Sequence, residues 1–163
     1  MALNDARDAH PTQRWRARLI VARSGAASVE VRPLVSVRCE ALTVKLATGP
    51  IDERDALLFH KTTARSRYDS ELRRCQPCDD VILWNSRGEV TESTIANVVV
   101  FSDGKSWTPP REAGLVAGTL RAELISRGEL LERTITREEL ESVESFSLIN
   151  SVRGWMTAKL ATD

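Results

Sequence analysis

The sequence predicts an α+β domain: a mainly antiparallel, barrel-like sheet with a few helices. Three observations lead there. Apolar and polar residues alternate over short runs, most of them bounded by Gly, Pro, Asn or Asp turns, so strands outnumber every other element. Apolar residues recur at helical spacing in only a few short segments. A chain of 163 residues, without internal repeat or low-complexity linker, can bury one continuous core without disulfides or metal.

Residues 1–13 are polar and are expected to fray, leaving 14–163 as one domain. Arg16 to Arg23 reads as a strand, Ser24 to Ala27 as a turn, and Ser28 to Arg32 as its hairpin partner, ended by Pro33. From about Arg38 to Ala47, Leu42, Val44 and Leu46 alternate with Ala41, Thr43 and Lys45, a third strand broken by Thr48-Gly49-Pro50. After the segment LLFHKTTARSRY at 57–68, Tyr68 and Leu72 sit at helical spacing among charges. Ala64 to Arg74 is therefore an amphipathic helix with a solvated face, stopped by Pro77. Asp80 to Trp84 is a strand, Asn85-Ser86-Arg87-Gly88 a hairpin turn into Glu89 to Thr94, and Asn97 to Phe101 the next strand. Asp103-Gly104 turns toward Ser106 to Thr108, where Pro109-Pro110 forbid further pairing. A helix runs from about Thr119 to Arg127, with Gly128 as its stop, and Leu130 to Thr134 is a strand candidate. Thr136-Arg137-Glu138-Glu139 is a capping box opening a short helix, and strands at Ser145 to Asn150 and Trp155 to Leu160 finish the chain.

Basic and acidic residues balance at 23 each, so no overall field draws the chain to nucleic acid or an anionic membrane. A small, specific ligand is the expected partner. The opening MALNDARDAHPTQRW lacks the apolar core of a signal peptide, and no later run approaches membrane-spanning length, which predicts a cytoplasmic protein. Cys39, Cys75 and Cys78 make an odd count, so reduced thiols are expected rather than a disulfide framework. Cys75-Gln-Pro-Cys78 has the spacing of a redox pair or half a zinc site. No second such pair exists, and His10 and His60 lie far off in sequence, so no metal is expected.

Four places break the local rules. Lys61 follows Leu57, Leu58 and Phe59, and an amine ending an apolar run is expected to be partly desolvated, which favours the neutral nucleophile that condenses with aldehydes. A lysine that snorkels to water fits the same residues. Glu92 lies within the strand-forming Val90-Thr91-Glu92-Ser93-Thr94, where burial demands a proton or a cation such as a protonated pyridine nitrogen. A surface carboxylate is the plainer account of it. Gly118 directly before Thr119, Leu120 and Arg121 leaves free amides at a helix start, suited to a phosphate or to ordinary capping. Asn150-Ser151-Val152-Arg153-Gly154 joins two apolar strands with a hydroxyl and amides that suit an anion or a simple hairpin turn.

Four stretches, taken in order, resemble the fold-type-IV pyridoxal-phosphate enzymes, the class IV aminotransferases. They are His60 to Arg65 with Tyr68 and Asp69, Asn85 to Thr94 with Asn97, Thr108-Pro109-Pro110 with Gly114 to Arg121, and Asn150 to Trp155. Within that family the runs HKTT and NSVRGW are most similar to the aminodeoxychorismate lyase domains fused behind para-aminobenzoate synthase component I. The resemblance implies the C-terminal domain of the D-amino acid aminotransferase-like fold over residues 14–163, with pyridoxal 5'-phosphate as cofactor. It implies that Lys61 carries the cofactor and shuttles protons, and that Glu92 partners the pyridine nitrogen. Gly118, Thr119, Leu120 and Ser151 would hold the phosphate. Arg65, Val152 and Arg153 are candidates for the substrate side, and a surface ion pair accounts equally for either arginine. Val116-Ala117-Gly118 stands where the family has Leu-Pro-Gly, which keeps the glycine and loses the stiff proline.

The implied activity is 4-amino-4-deoxychorismate lyase, yielding para-aminobenzoate and pyruvate for folate synthesis. One alternative is a class IV aminotransferase for D-amino or branched-chain acids. Another is a cofactor-binding half-domain without activity of its own. The resemblance runs from about Arg14 to Leu160 but covers only the C-terminal half of the family, so the N-terminal domain would come from a fused or separate chain. A homodimer is expected on the same ground.

Overall fold

The computed structural model describes residues 14–34 and 40–161, and its contacts fall into two units, 1–38 and 39–163. The segment expected to fray, 1–13, lies outside the described residues, as do Cys39 and the first residue of the expected third strand. In the first unit, β1 (Trp15–Val21) and β2 (Ala27–Pro33) form an antiparallel hairpin, in register from Trp15 opposite Pro33 to Val21 opposite Ala27. The Ala22 amide donates to the Ala26 carbonyl at 2.8 Å to close the turn, and Gly25 takes φ +85°, a value that a β-carbon would oppose.

The second unit contains β3 (Leu42–Leu46), β4 (Asp80–Trp84), β5 (Val90–Ser93), β6 (Asn97–Ser102), β7 (Lys105–Thr108), β8 (Leu131–Glu132), β9 (Phe146–Asn150) and β10 (Gly154–Leu160). Its helices are α1 (Ser66–Arg74), α2 (Thr119–Ser126) and α3 (Arg137–Ser142), with 3-10 turns at Ala56–Phe59 and Arg111–Ala113. The strand order is β5-β4-β3-β10-β9-β6-β7-β8, and β5 also pairs β6. The first six strands thus close into a ring, which removes their free edges, and β7 and β8 extend from it. β6 serves both parts: Asn97 to Val99 pair with β9, and Val100 to Ser102 with β7.

The sheet is mixed. β3 runs parallel to both β10 and β4, and β7 runs parallel to β8. Side-chain alternation is the same for either direction, so the sequence pattern is silent on it. The parallel β3–β4 pair requires a crossover, which residues 47–79 supply with the first 3-10 turn and α1. The third strand is shorter than expected because its two neighbours pair only with Leu42 to Leu46. The expected strand from Leu130 to Thr134 shrinks to two residues because its partner β7 offers only Trp107 and Thr108 before Pro109.

Alternation sorts the barrel residues into layers. Ile82, Val98, Val100, Phe146, Leu148, Met156 and Ala158 form the interior cluster. Val81 and Leu83 belong to a second cluster with Tyr68 of α1 and Leu58 of the 3-10 turn. Val99 and Ile149 join Leu124 of α2 in a third. Half of the capping box forms: the Glu139 amide donates to the Thr136 hydroxyl at 3.1 Å and starts α3, while the Glu139 carboxylate accepts from the Arg133 guanidinium instead of reaching back to the Thr136 amide. No helix among the described residues is long and apolar enough to cross a membrane.

Replacing the wholly buried Leu148 by alanine should lower the free energy of urea unfolding by about 3 kcal/mol. The same change at Phe101, which is 70 % exposed, should alter it by no more than about 0.5 kcal/mol. Equal losses at both positions would contradict the layer assignment.

Candidate active site

One extra residue in β5 sets the geometry. Ile82 stands opposite Ser93 and Trp84 opposite Val90, so two steps along β4 match three along β5. This is a β-bulge, and a bulge re-aims the side chains around it. Regular alternation would place Glu92 on the interior side with Val90. Instead Glu92 pairs with Asn97, which in turn stands opposite the outward-facing Ile149. The Glu92–Asn97 pair is also the one that closes the ring.

Glu92 is 5 % exposed and accepts a hydrogen bond on Oε1 from the Tyr68 hydroxyl at 2.8 Å. Burial pushes its carboxyl up to about 7, against the Tyr68 hydrogen bond, the Val116 backbone and the charges of Lys61 and Arg65, all of which favour the anion. A carboxyl so poised takes either a proton or a cation. Burial, and then the charge of Glu92, hold the Tyr68 phenol above its ordinary range. The Arg65 guanidinium lies 4.9 Å from the centre of the Tyr68 ring and donates to the Thr94 carbonyl at 2.6 Å.

Asn97 works in the other direction. Its amide group donates to the Val116 carbonyl at 2.9 Å, and its Oδ1 accepts from the Gly118 amide at 3.3 Å. A β-carbon on residue 118 would lie 2.5 Å from that Oδ1, so the site requires glycine for close approach. Gly118 is the N-cap of α2, and no side chain caps the helix. Its first amides therefore lack side-chain acceptors.

Lys61, Arg65, Glu92, Gly118, Thr119 and Ser151 line one cavity of ≈ 460 Å³, together with Tyr68, Asn97, Arg121 and Asn150. Leu120, Val152 and Arg153 are outside that lining. The Leu120 side chain packs on the Leu124 cluster, and the amides of Val152 and Arg153 donate to Asn150 Oδ1 at 3.0 and 2.8 Å in the β9–β10 turn. The expectation that Lys61 is desolvated is corrected: the residue is exposed. The 3-10 turn buries Leu58 alone of the three apolar residues before it, leaving Leu57 49 % exposed and Phe59 partly so.

Sequence reading gave no role to Arg121, which is 4 % exposed and donates through Nη2 to the Pro109 carbonyl and to Glu132, while its Nε is buried without a partner. An arginine one turn before the buried Leu124 was the available signal. Cys75 is buried and Cys78 half-buried, both thiols are free, and burial raises both. No cluster of metal-ligating side chains occurs among the described residues. Chemically, the cavity offers one amine, one buried carboxyl that accepts a cation, uncapped helix amides and several hydroxyls, that of Ser151 among them.

The model of the family described as amino-transferase class IV matches residues 2–160, and the chain belongs to that family of pyridoxal-phosphate enzymes. A Mesorhizobium loti structure, provisionally titled an amino-acid aminotransferase, superposes at a TM-score of 0.90 with 35 % identity, over 98 % of this chain and 79 % of that one. A fold IV transaminase from Curtobacterium pusillum superposes at 0.80 with 25 % identity, over 97 % of this chain and 60 % of its own. A Schizosaccharomyces pombe protein provisionally named aminodeoxychorismate lyase is 30 % identical over 150 residues, 87 % of this chain. The chain spans 65 % of that relative's length.

A carboxyl raised from 4.5 to about 7 binds a proton more tightly in the native state than in the unfolded one. Native stability from this group is therefore fully present below about pH 4.5 and lost as pH rises through about 7, a fall of about 3 kcal/mol. Glu92→Gln has no such titration. In urea unfolding of the cofactor-free protein the variant should be the more stable at pH 8, and the two should converge near pH 5; a gap independent of pH would contradict the burial of an ionisable Glu92. Gly118→Ala should displace the Val116–Gly118 loop and lower stability by about 1 to 3 kcal/mol, measured by thermal unfolding. Unchanged stability would show that the loop is not held by Asn97.

Proposed function

We propose that the chain is the cofactor-binding part of a pyridoxal-phosphate-dependent 4-amino-4-deoxychorismate lyase. The observation that carries this reading is the sharing of one cavity by the Lys61 amine and the buried Glu92 carboxyl. The S. pombe relative supports the choice of lyase. An amino-acid aminotransferase is the second reading, favoured by the M. loti structure at 35 % identity.

Pyridoxal phosphate fits the residues present. Its ring nitrogen calls for a carboxylate, and Glu92 is a buried carboxyl that a cation would stabilise in the charged form. Its phosphate calls for amides, and α2 begins with no side-chain cap. The cavity volume lies in the range of small-ligand sites. When bound, the cofactor supplies an aldehyde for an amine and a ring that draws electron density from the substrate's α-carbon.

Lys61 would hold that aldehyde through Nζ, and its free amine would be the base that takes and returns the proton at the substrate's α-carbon. The lysine is exposed at the cavity wall. Glu92 would be the partner of the ring nitrogen, holding its proton through a charge-assisted hydrogen bond. The amides of Thr119 and Leu120 and the Ser151 hydroxyl would seat the phosphate, and Arg65 would orient a substrate carboxylate, with Val152 and Arg153 in the β9–β10 turn.

Borohydride reduction of the chain incubated with pyridoxal phosphate, followed by peptide mass mapping, should place the cofactor on the peptide containing Lys61. Lys61→Ala should abolish the adduct and lower turnover at least about 10²-fold. Pyruvate and para-aminobenzoate from aminodeoxychorismate would support the lyase; a keto acid matched by a new amino acid would replace it with the aminotransferase. A cofactor adduct with neither product, restored by adding an N-terminal family domain, would leave the chain as a binding half. Attachment elsewhere would sink the proposal.

A further inference from the structure

The mechanism leaves Tyr68 without a task, although it is the chain's single tyrosine and its hydroxyl touches Glu92. We propose that Tyr68 is a positioning residue, whose hydroxyl fixes the orientation of the Glu92 carboxylate and holds it in the anionic form that a ring nitrogen requires. The task, though not the hydrogen bond, rests on the reading of Glu92 as the partner of that nitrogen.

Three features support a built arrangement. The Tyr68 ring is 9 % exposed and packs with Leu58, Val81 and Leu83, so its hydroxyl has little freedom to move. Arg65, one turn earlier, lies over the same ring and donates to the carbonyl of Thr94, two residues beyond Glu92. The start of α1 is thereby tied to β5 and its end at two points, across the bulge that turns Glu92 outward.

The surrounding charge agrees. Glu92 is the single carboxylate lining the cavity among the described residues. The ionisable groups that share the lining are His60 and Lys61 ahead of α1, Arg65 and Tyr68 at α1, and Arg121 of α2. Among the described residues Tyr68 supplies the one neutral side-chain donor in contact with the carboxylate, and a hydrogen bond to the charged form favours that form. Phenylalanine would fill the same volume but could not donate, which separates positioning from packing.

The single tyrosine makes the test specific. In the cofactor-free protein the tyrosinate absorbance of the wild type should titrate above the ordinary tyrosine range, and Glu92→Gln should lower its midpoint by about one pH unit or more. Isotope-labelled carboxyl NMR should show Glu92 titrating about one pH unit higher in Tyr68→Phe than in the wild type. Tyr68→Phe should also weaken pyridoxal phosphate binding about tenfold and move the pH midpoint of the bound cofactor's absorption. Should Tyr68→Phe fail to fold, biosynthetic replacement with fluorotyrosine keeps the ring and gives a more acidic hydroxyl, which should lower the Glu92 midpoint. Wild-type cofactor binding with both titrations unmoved by the variants overturns this inference and leaves the proposed function standing. No cofactor binding by the wild type overturns the proposed function, and the assigned task with it, even where the two titrations move together.

Discussion

The candidate site depends on a single irregularity, the extra residue that β5 carries against β4. A regular strand would send Glu92 into the barrel interior among Val90, Ile82 and Leu148, where an ionised carboxylate has no compensation. The bulge turns it instead toward α1 and into register with Asn97 on the closing strand. Ring closure and site construction therefore use the same two residues. From that pair one side chain reaches Tyr68 and the other pins the loop ahead of α2. The loop glycine follows from the pin, since a β-carbon has no room beside Asn97 Oδ1.

Electrostatics then gives the cavity its preference. The Glu92 carboxyl feels the charges of Lys61 and Arg65 and shares its cavity with Arg121, yet burial still raises it to about 7. Near neutral pH it is shared between a proton and the charged form. A ligand that brings its own positive nitrogen displaces that proton and turns an unfavourable burial into a charge-assisted contact. Arg121 is engaged elsewhere, by the Pro109 carbonyl and Glu132, and so shapes the wall more than it neutralises Glu92.

Much of this was legible in the chain. Alternation marked the strands, Thr136 to Glu139 marked α3, and the order of the four motif stretches marked the family. Direction was not legible, because a parallel strand such as β3 alternates as an antiparallel one does. The bulge was not, because one inserted residue reads as continued apolar and polar mixing. The exposure of Lys61 was missed because three successive apolar residues imply burial, whereas a 3-10 turn presents only one of them inward. Tyr68 and Asn97 stood inside the recognised stretches, but their partners lie 24 and 19 to 21 residues away, beyond the reach of local spacing.

The most direct test of the account is a crystal structure of the chain grown with pyridoxal phosphate. Continuous density from Lys61 Nζ to the ring, with the ring nitrogen in hydrogen-bond contact with the Glu92 carboxylate and the phosphate at the start of α2, is the result expected. A cofactor bound with its phosphate toward Glu92, or seated away from the cavity that Lys61 and Glu92 share, would contradict it.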